Sequence, residues 1–335
     1  MIKGHGDDLY RHGPIRANFS SNVYNATERQ GLLDHLHKRL DSIGSYPEPE
    51  PYSLEKGLAD YHGIAADSIS VTSGATEAIY LIAQAFRGSS SAVVVPTFSE
   101  YADACRLHGH RVDFISKPEE ASSRYDMVWL CNPNNPTGRV WKASELYRIV
   151  RECPSTIFIV DQSYEYFSTA EVLDTKEAVS LPNLLLLHSL TKRFAIPGLR
   201  LGYLTAHASL TERIRVCRMP WSVNALAIAA GEYLVQQGFP TSVPLAELHA
   251  ETERLRTAIG SMAGYEVEPT DTHFMLVRCR HHSAADLKAV LADQYGLLIR
   301  DASNFEGLDA HCIRIATQTR EQNDWLIDAL RSISF

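Results

Sequence analysis

Short apolar runs, each too brief for a helix, recur along the middle of the chain: SISV (68–71), SAVVVP (91–96), MVWLC (127–131), TIFIV (156–160) and NLLLLH (183–188). Segments with helical period fill several of the gaps. After the first run, SGATEAIYLIAQAF sets Ala78, Ile79, Ile82, Ala83 and Phe86 on one helical face. Such strand and helix alternation, over roughly 50–235, is the pattern of an α/β domain built on a mostly parallel sheet.

The last hundred residues read differently. Two helical segments, AADLKAVLADQY and REQNDWLIDALRSI, flank the strand-like LLIR and CIRIA, which suggests a small α+β domain. A chain of 335 residues that is 45% hydrophobic can bury two cores, at about 150 residues per domain. We expect a large domain over 35–235 and a small one formed by 1–34 with 236–335.

A formal net charge of −8 argues against nucleic acid or an anionic membrane as partner over the whole surface. Any phosphate site must be local. The six cysteines have neither a CxxC nor metal-ligand spacing, so free thiols in a reducing cytosol and no metal are expected. The N-terminus has no apolar signal region and no run approaches a membrane span. A cytoplasmic protein is expected.

The chemically suggestive residues fall where predicted strands end. Asn135 follows MVWLC within NPNNPTGR, Asp161 follows TIFIV, and Lys192 follows NLLLLH in SLTKRFAIPGLRLGY. Ligands of open α/β sheets bind outside the carboxyl ends of the strands, so three loops converge on one site.

Singly, each piece has a plainer reading. SGAT can be an N-cap, NPNNPTGR a turn, Asp161 a cap, and Lys192 a surface residue. Together they match one chemistry. A lysine that works as a nucleophile forms a Schiff base with a carbonyl, and pyridoxal phosphate is the usual partner. That cofactor needs a carboxylate at its pyridine nitrogen, donors to its phenolic oxygen, and an anion cradle. Asp161 supplies the first and Asn135 with Tyr164 the second. Ala75 and Thr76 at a helix N-terminus, with Ser189, Thr191 and Arg200, supply the third.

On these residues the chain resembles the fold-type I pyridoxal-phosphate enzymes of aminotransferase class I/II, from about residue 18 to the C-terminus. NPNNPTG, DQSY, SLTKRFAIPGLRLGY and RDASNFEGLDAHCIRIATQTREQND carry the likeness to the histidinol-phosphate aminotransferase branch. The resemblance implies a large domain with a mostly parallel seven-stranded sheet, plus a small α+β domain. It implies that Lys192 is the Schiff-base lysine and that Phe98 in PTFSEY stacks on the pyridine ring. Tyr46 in SYPEPE is expected to reach the cofactor phosphate of a second subunit, which implies a homodimer with shared sites.

A second likeness narrows the branch. The lysine motif followed by MPWSVNALA (219–227), with His5 in GHGDD and Asn22 in ANFSSNV, resembles the threonine-phosphate decarboxylases of cobalamin biosynthesis. By that likeness Arg314 in CIRIA grips the substrate carboxylate and Arg300 in LLIRDAS its phosphate. His5, Asn22 and Arg16 are further substrate candidates. Two departures stand out. Gln162 and Ser163 occupy places where the family more often has Glu-Ala, and Ser163 is expected to present its hydroxyl to the ring face. His273 replaces a common asparagine.

The implied reaction is decarboxylation of L-threonine O-3-phosphate to (R)-1-amino-2-propanol phosphate. The alternative is transamination of histidinol phosphate or a related amino acid with 2-oxoglutarate. A third reading, a non-catalytic sensor module, is disfavoured by Lys192 and by the lack of an N-terminal extension.

Overall fold

The computed structural model describes residues 7–121, 124–240 and 243–333. A short strand, β1 (Ala17–Asn18), opens it. The five apolar runs become β2 (Ile69–Thr72), β3 (Ser90–Val94), β5 (Met127–Cys131), β6 (Ile157–Asp161) and β7 (Leu184–Ser189), and two strands that the runs did not announce, β4 (Arg111–Ile115) and β8 (Gly202–Ala206), join them. These form one seven-stranded sheet in the order β2-β8-β7-β6-β5-β3-β4. Only β8 runs against the others, pairing antiparallel with both β2 and β7. The strands β2, β3, β5, β7 and β8 are buried along their whole length, as continuous apolar runs in a two-faced sheet must be.

One face packs against the helices Gly74–Ala85 and Glu100–Leu107, with Ile79, Ile82, Tyr101 and Trp129 in the contact. The other packs Val128, Val160, Leu184 and Leu186 against Leu146, Ile149 and Val150 of the helix Ala143–Glu152. The sheet is thus covered on both sides, and its carboxyl edge is left as the binding rim.

The small domain holds β9 (Tyr265–Val267), β10 (Phe274–Cys279), β11 (Leu297–Leu298), β12 (Arg300–Asp301) and β13 (Cys312–Ala316). Four of them make an antiparallel sheet, β12-β13-β10-β9, while β1 pairs in parallel with β11. Helices Ala284–Tyr295 and Arg320–Ser332 cover it through Leu287, Leu291, Leu326 and Leu330. The helix Gln30–Lys38 spans the expected 34/35 boundary, and its Leu32 packs with Leu54, Leu58 and Phe239 of the large domain. The helix Leu245–Gly260 links the two cores: Leu248 enters the large one, Leu255 and Ile259 the small one.

The reversed strand is the device that matters for the rim. Gly202 begins β8 and stands level with Ser189 at the end of β7 and Thr72 at the end of β2. A Cβ there would come within 2.7 Å of the Ala75 nitrogen and 2.8 Å of the His188 carbonyl. Replacing Gly202 with Ala should therefore cost about 1–3 kcal/mol through overpacking and force the helix Gly74–Ala85 away from the sheet. Denaturant unfolding checks the first outcome, and a rise in the dissociation constant for inorganic phosphate the second.

Candidate functional site

A cavity of about 270 Å³ opens at the carboxyl edge of the large sheet, closed on one side by residues of the small domain. Its wall contains Ala75, Thr76, Phe98, Asn135, Asp161, Ser163, Tyr164, Ser189, Thr191, Lys192, Arg200, Arg300 and Arg314. Three separate loops and two domains do converge there.

One end is built for an anion. The helix Gly74–Ala85 points its N-terminus into the cavity, and Ser73 caps it with no side-chain bond. The opening N–H groups of a helix have no partner inside it, and they carry partial positive charge. Gly74 has φ +79°, and a Cβ there would meet the Arg200 guanidinium at 2.7 Å. Arg200 donates only to the Pro197 carbonyl (3.1 Å) and makes no ion pair among the described residues. A guanidinium laid against a helix N-terminus is repulsive unless an anion sits between them. Ser189 stands beside this cradle. The Thr191 hydroxyl is turned to the Leu201 carbonyl at 3.2 Å, so its proton is committed to the backbone.

Lys192 reaches the cavity from the short helix Leu190–Arg193 after β7. Its Nζ donates to the Ser21 carbonyl at 2.8 Å. Burial, with the Arg314 charge adding to it, lowers its pKa from near 10.5 to about 8, against the opposing pull of Asp7. A substantial neutral fraction at physiological pH is what a nucleophilic amine requires.

Asp161 ends β6 and is buried without an ion pair among the described residues. Its Oδ2 accepts from the Tyr101 hydroxyl at 2.7 Å, and its Oδ1 from the Ser163 N–H at 2.8 Å. Burial pushes its pKa up, and the bonds from Ser163 and Tyr101 oppose that rise. Ser163 is thus engaged with the Asp161 carboxylate as well as facing the cavity. Gln162 points the other way: its amide stitches Leu173 to the strand end at 3.0 and 3.1 Å.

Asn135 accepts from Arg314 through Oδ1, which leaves its Nδ2 as a donor. Tyr164 is buried edge-on against Phe274, and burial pushes its phenol up to about 12, so it too remains a donor. Phe98 stands half-buried and edge-on to Tyr101.

The two arginines of the small domain face each other directly. Arg300 and Arg314 are cross-strand partners on β12 and β13, both buried. Like charges directly opposite are destabilising, and burial plus the Arg300 charge lower the Arg314 pKa to about 10 despite the help of Tyr164. Arg314 also donates to the Ser20 carbonyl, its Nε is buried without an acceptor, and it makes no ion pair among the described residues. Arg300 donates to Asn304 Oδ1 at 2.7 Å. Paired guanidinium groups on a cavity wall suit a ligand that brings more than one anionic group.

Other candidates lie elsewhere. Tyr46 is 85% exposed, rests on Trp221 (5.3 Å between centroids) and takes no part in this chain's cavity. Asn22 is buried behind the wall with φ +53°, beside Tyr164. Arg16 stacks on Trp325 away from the cavity. His273 packs against Phe167 and is held neutral, its pKa lowered to about 3 by burial. His5 lies outside the described residues. The sequence reading missed Tyr101, Asp7, Ser20 and Phe305. Tyr101 sits three residues after Phe98, but nothing in that spacing points to Asp161, sixty residues on.

These residues fit pyridoxal phosphate: an unneutralised anion cradle at Gly74, a carboxylate at a strand end, two buried donors, and an amine of lowered pKa. The apoprotein should capture the cofactor at a rate that rises with pH to a midpoint near 8, because the neutral amine is the reactive form. Stopped-flow absorbance checks this, with borohydride reduction and peptide mapping expected to label Lys192. A midpoint near 10.5 would mean that the amine is solvated.

A family model described as aminotransferase class I and II matches residues 15–330. A threonine-phosphate decarboxylase of Salmonella typhimurium is 32% identical over 330 residues, covering 94% of this chain and 90% of the relative. A histidinol-phosphate aminotransferase of Desulfitobacterium hafniense is also 32% identical, over 322 residues, covering 90% and 88%. Among solved structures, an L-threonine-O-3-phosphate decarboxylase from Porphyromonas gingivalis superposes with a TM-score of 0.92 at 40% identity, covering 94% of this chain and 98% of that one.

Proposed function

The chain belongs to the aminotransferase class I and II family, and from that premise we propose that it uses pyridoxal phosphate to decarboxylate L-threonine O-3-phosphate, yielding (R)-1-amino-2-propanol phosphate for cobalamin biosynthesis. The observation that carries the reading is the opposed, buried pair Arg300 and Arg314 on the same cavity wall as Lys192. This substrate brings a phosphate and a carboxylate to the two forks. Likeness to the Porphyromonas decarboxylase at 40% identity supports the choice of substrate.

Ala75, Thr76, Ser189 and Arg200 would hold the cofactor phosphate, Asp161 its ring nitrogen, Asn135 and Tyr164 its phenolic oxygen, and Phe98 its ring face. Tyr46, exposed and outside the cavity of its own chain, would complete the cradle of a second copy in a cytoplasmic homodimer. When bound, the cofactor supplies an aldehyde for the lysine and a ring that takes up the electrons of the bond broken at the substrate Cα. Which bond at Cα gains that help would depend on how the cavity turns the substrate.

The chain's own residues therefore choose the reaction by orientation. Arg300 on the phosphate and Arg314 on the carboxylate would fix the rotation about the substrate Cα, and so decide that its carboxylate rather than its hydrogen is the group given up. The carboxylate would leave as carbon dioxide, and Lys192 Nζ would deliver a proton to the same carbon. The amine then recovers a proton from solvent through the open side of the cavity. Such a cycle consumes no keto-acid acceptor.

The equal likeness to a histidinol-phosphate aminotransferase supports the second reading, in which the α-hydrogen is the group removed. The two part on one assay. We expect steady release of carbon dioxide from L-threonine O-3-phosphate without 2-oxoglutarate, and little turnover of unphosphorylated threonine. Turnover that stops after one equivalent and resumes on adding 2-oxoglutarate would establish the aminotransferase instead. Arg300→Ala should lower kcat/KM about 10–100-fold, the equivalent of one charge-assisted bidentate contact. Tyr46→Phe should weaken cofactor binding without altering the fold, as equilibrium dialysis and circular dichroism would record.

A further inference from the structure

We propose that Tyr101 is a positioning residue that holds Asp161 ionised and oriented, and that locks the face-stacking Phe98 and the ring-nitrogen partner Asp161 into one rigid assembly. The inference rests on the cofactor part of the reading above and is independent of which substrate is used.

Asp161 faces a physical difficulty. A carboxylate removed from water and making no ion pair among the described residues is costly to keep charged. A protonated Asp161 cannot serve as counter-ion to a protonated pyridine. Hydrogen bonds donated to the charged form are the remaining remedy.

Tyr101 provides one with little freedom to fail. It lies near the start of the helix Glu100–Leu107, only 1% exposed, its ring stacked on Trp129 (5.9 Å, 23°) and edge-on to Phe98 (5.8 Å, 83°). The ring is gripped from both sides, so the hydroxyl cannot swing away from Asp161 Oδ2, 2.7 Å distant. Burial and the nearby Asp161 charge raise the phenol pKa well above its ordinary value, so the group is a donor at every working pH. The Ser163 N–H occupies the other carboxylate oxygen at 2.8 Å, which fixes the plane of the carboxyl group. Since Phe98 touches the same phenol ring, movement of the stacking surface is coupled to movement of the carboxylate.

The test uses apoprotein and holoprotein of the wild type and of Tyr101→Phe, which keeps the ring and removes only the hydroxyl. In the wild type, cofactor labelled with ¹⁵N at the ring should show the resonance of a protonated pyridine. In Tyr101→Phe that resonance should move toward the unprotonated position, and the dissociation constant for the cofactor should rise about tenfold, as for one lost bond to a charged group. Isotope-edited infrared spectra of the apoprotein should show the neutral carboxylic acid of Asp161 persisting to higher pH in the variant. Leu146→Ala, which opens the core on the other face of the sheet and touches neither Tyr101 nor Asp161, should lower the melting temperature and leave the ¹⁵N resonance in place.

An unchanged ¹⁵N resonance and cofactor affinity in Tyr101→Phe would overturn the inference. An unprotonated ring nitrogen already in the wild type would instead overturn the role given to Asp161. If Tyr101→Phe does not fold, the wild type decides through its Tyr101 hydroxyl proton. A downfield resonance protected from exchange supports donation to a carboxylate, and an ordinary, freely exchanging one refutes it.

Discussion

The closeness of β8 to the first turn of the helix Gly74–Ala85 governs the rest of the molecule. Because β8 runs against its neighbours, its first residue, Gly202, lies at the rim where β2 and β7 end. Its missing side chain lets the helix opening at Ala75 approach. Arg200, two residues before, is delivered onto that opening, and Lys192 enters from the other side of the same pairing. One reversed strand thus brings Arg200 and the Lys192 amine to one rim, from parts that a purely parallel sheet would send to opposite edges.

The cavity so formed is electrostatically expensive. Arg200 lies against a helix N-terminus, Arg300 opposes Arg314, and Lys192 is pressed toward neutrality by Arg314. On the other side Asp161 is buried without an ion pair among the described residues. The guanidinium of Arg200 against a helix N-terminus is costly to the protein unless an anion lies between them. Held in a rigid frame, that contact is preorganised for an anion.

Much of this was legible in the chain. The apolar runs ended where strands end, and Asn135, Asp161 and Lys192 stood just beyond them, so convergence on one rim followed from α/β topology. Other features were not legible for definite reasons. The hydroxyl of Thr191 bonds to Leu201 because the chain doubles back after Lys192, a turn that no pattern announces. Gln162 faces away from the cavity because the Leu173 backbone offers it two bonds. Arg16, a cation near the motifs, is drawn instead onto the face of Trp325.

Residue type and spacing alone determined the strand and helix alternation, the helix N-terminus at Gly74, and the rim on which Lys192 and Asp161 lie. Those depend on local periodicity and on the rule that loops follow strands. The tertiary structure alone decided that Arg300 stands opposite Arg314, that Tyr101 bonds to Asp161, and that Lys192 is half-buried beside a second cation. Strand register and helix packing between distant segments set those contacts, and they leave no periodic trace in the order of residues.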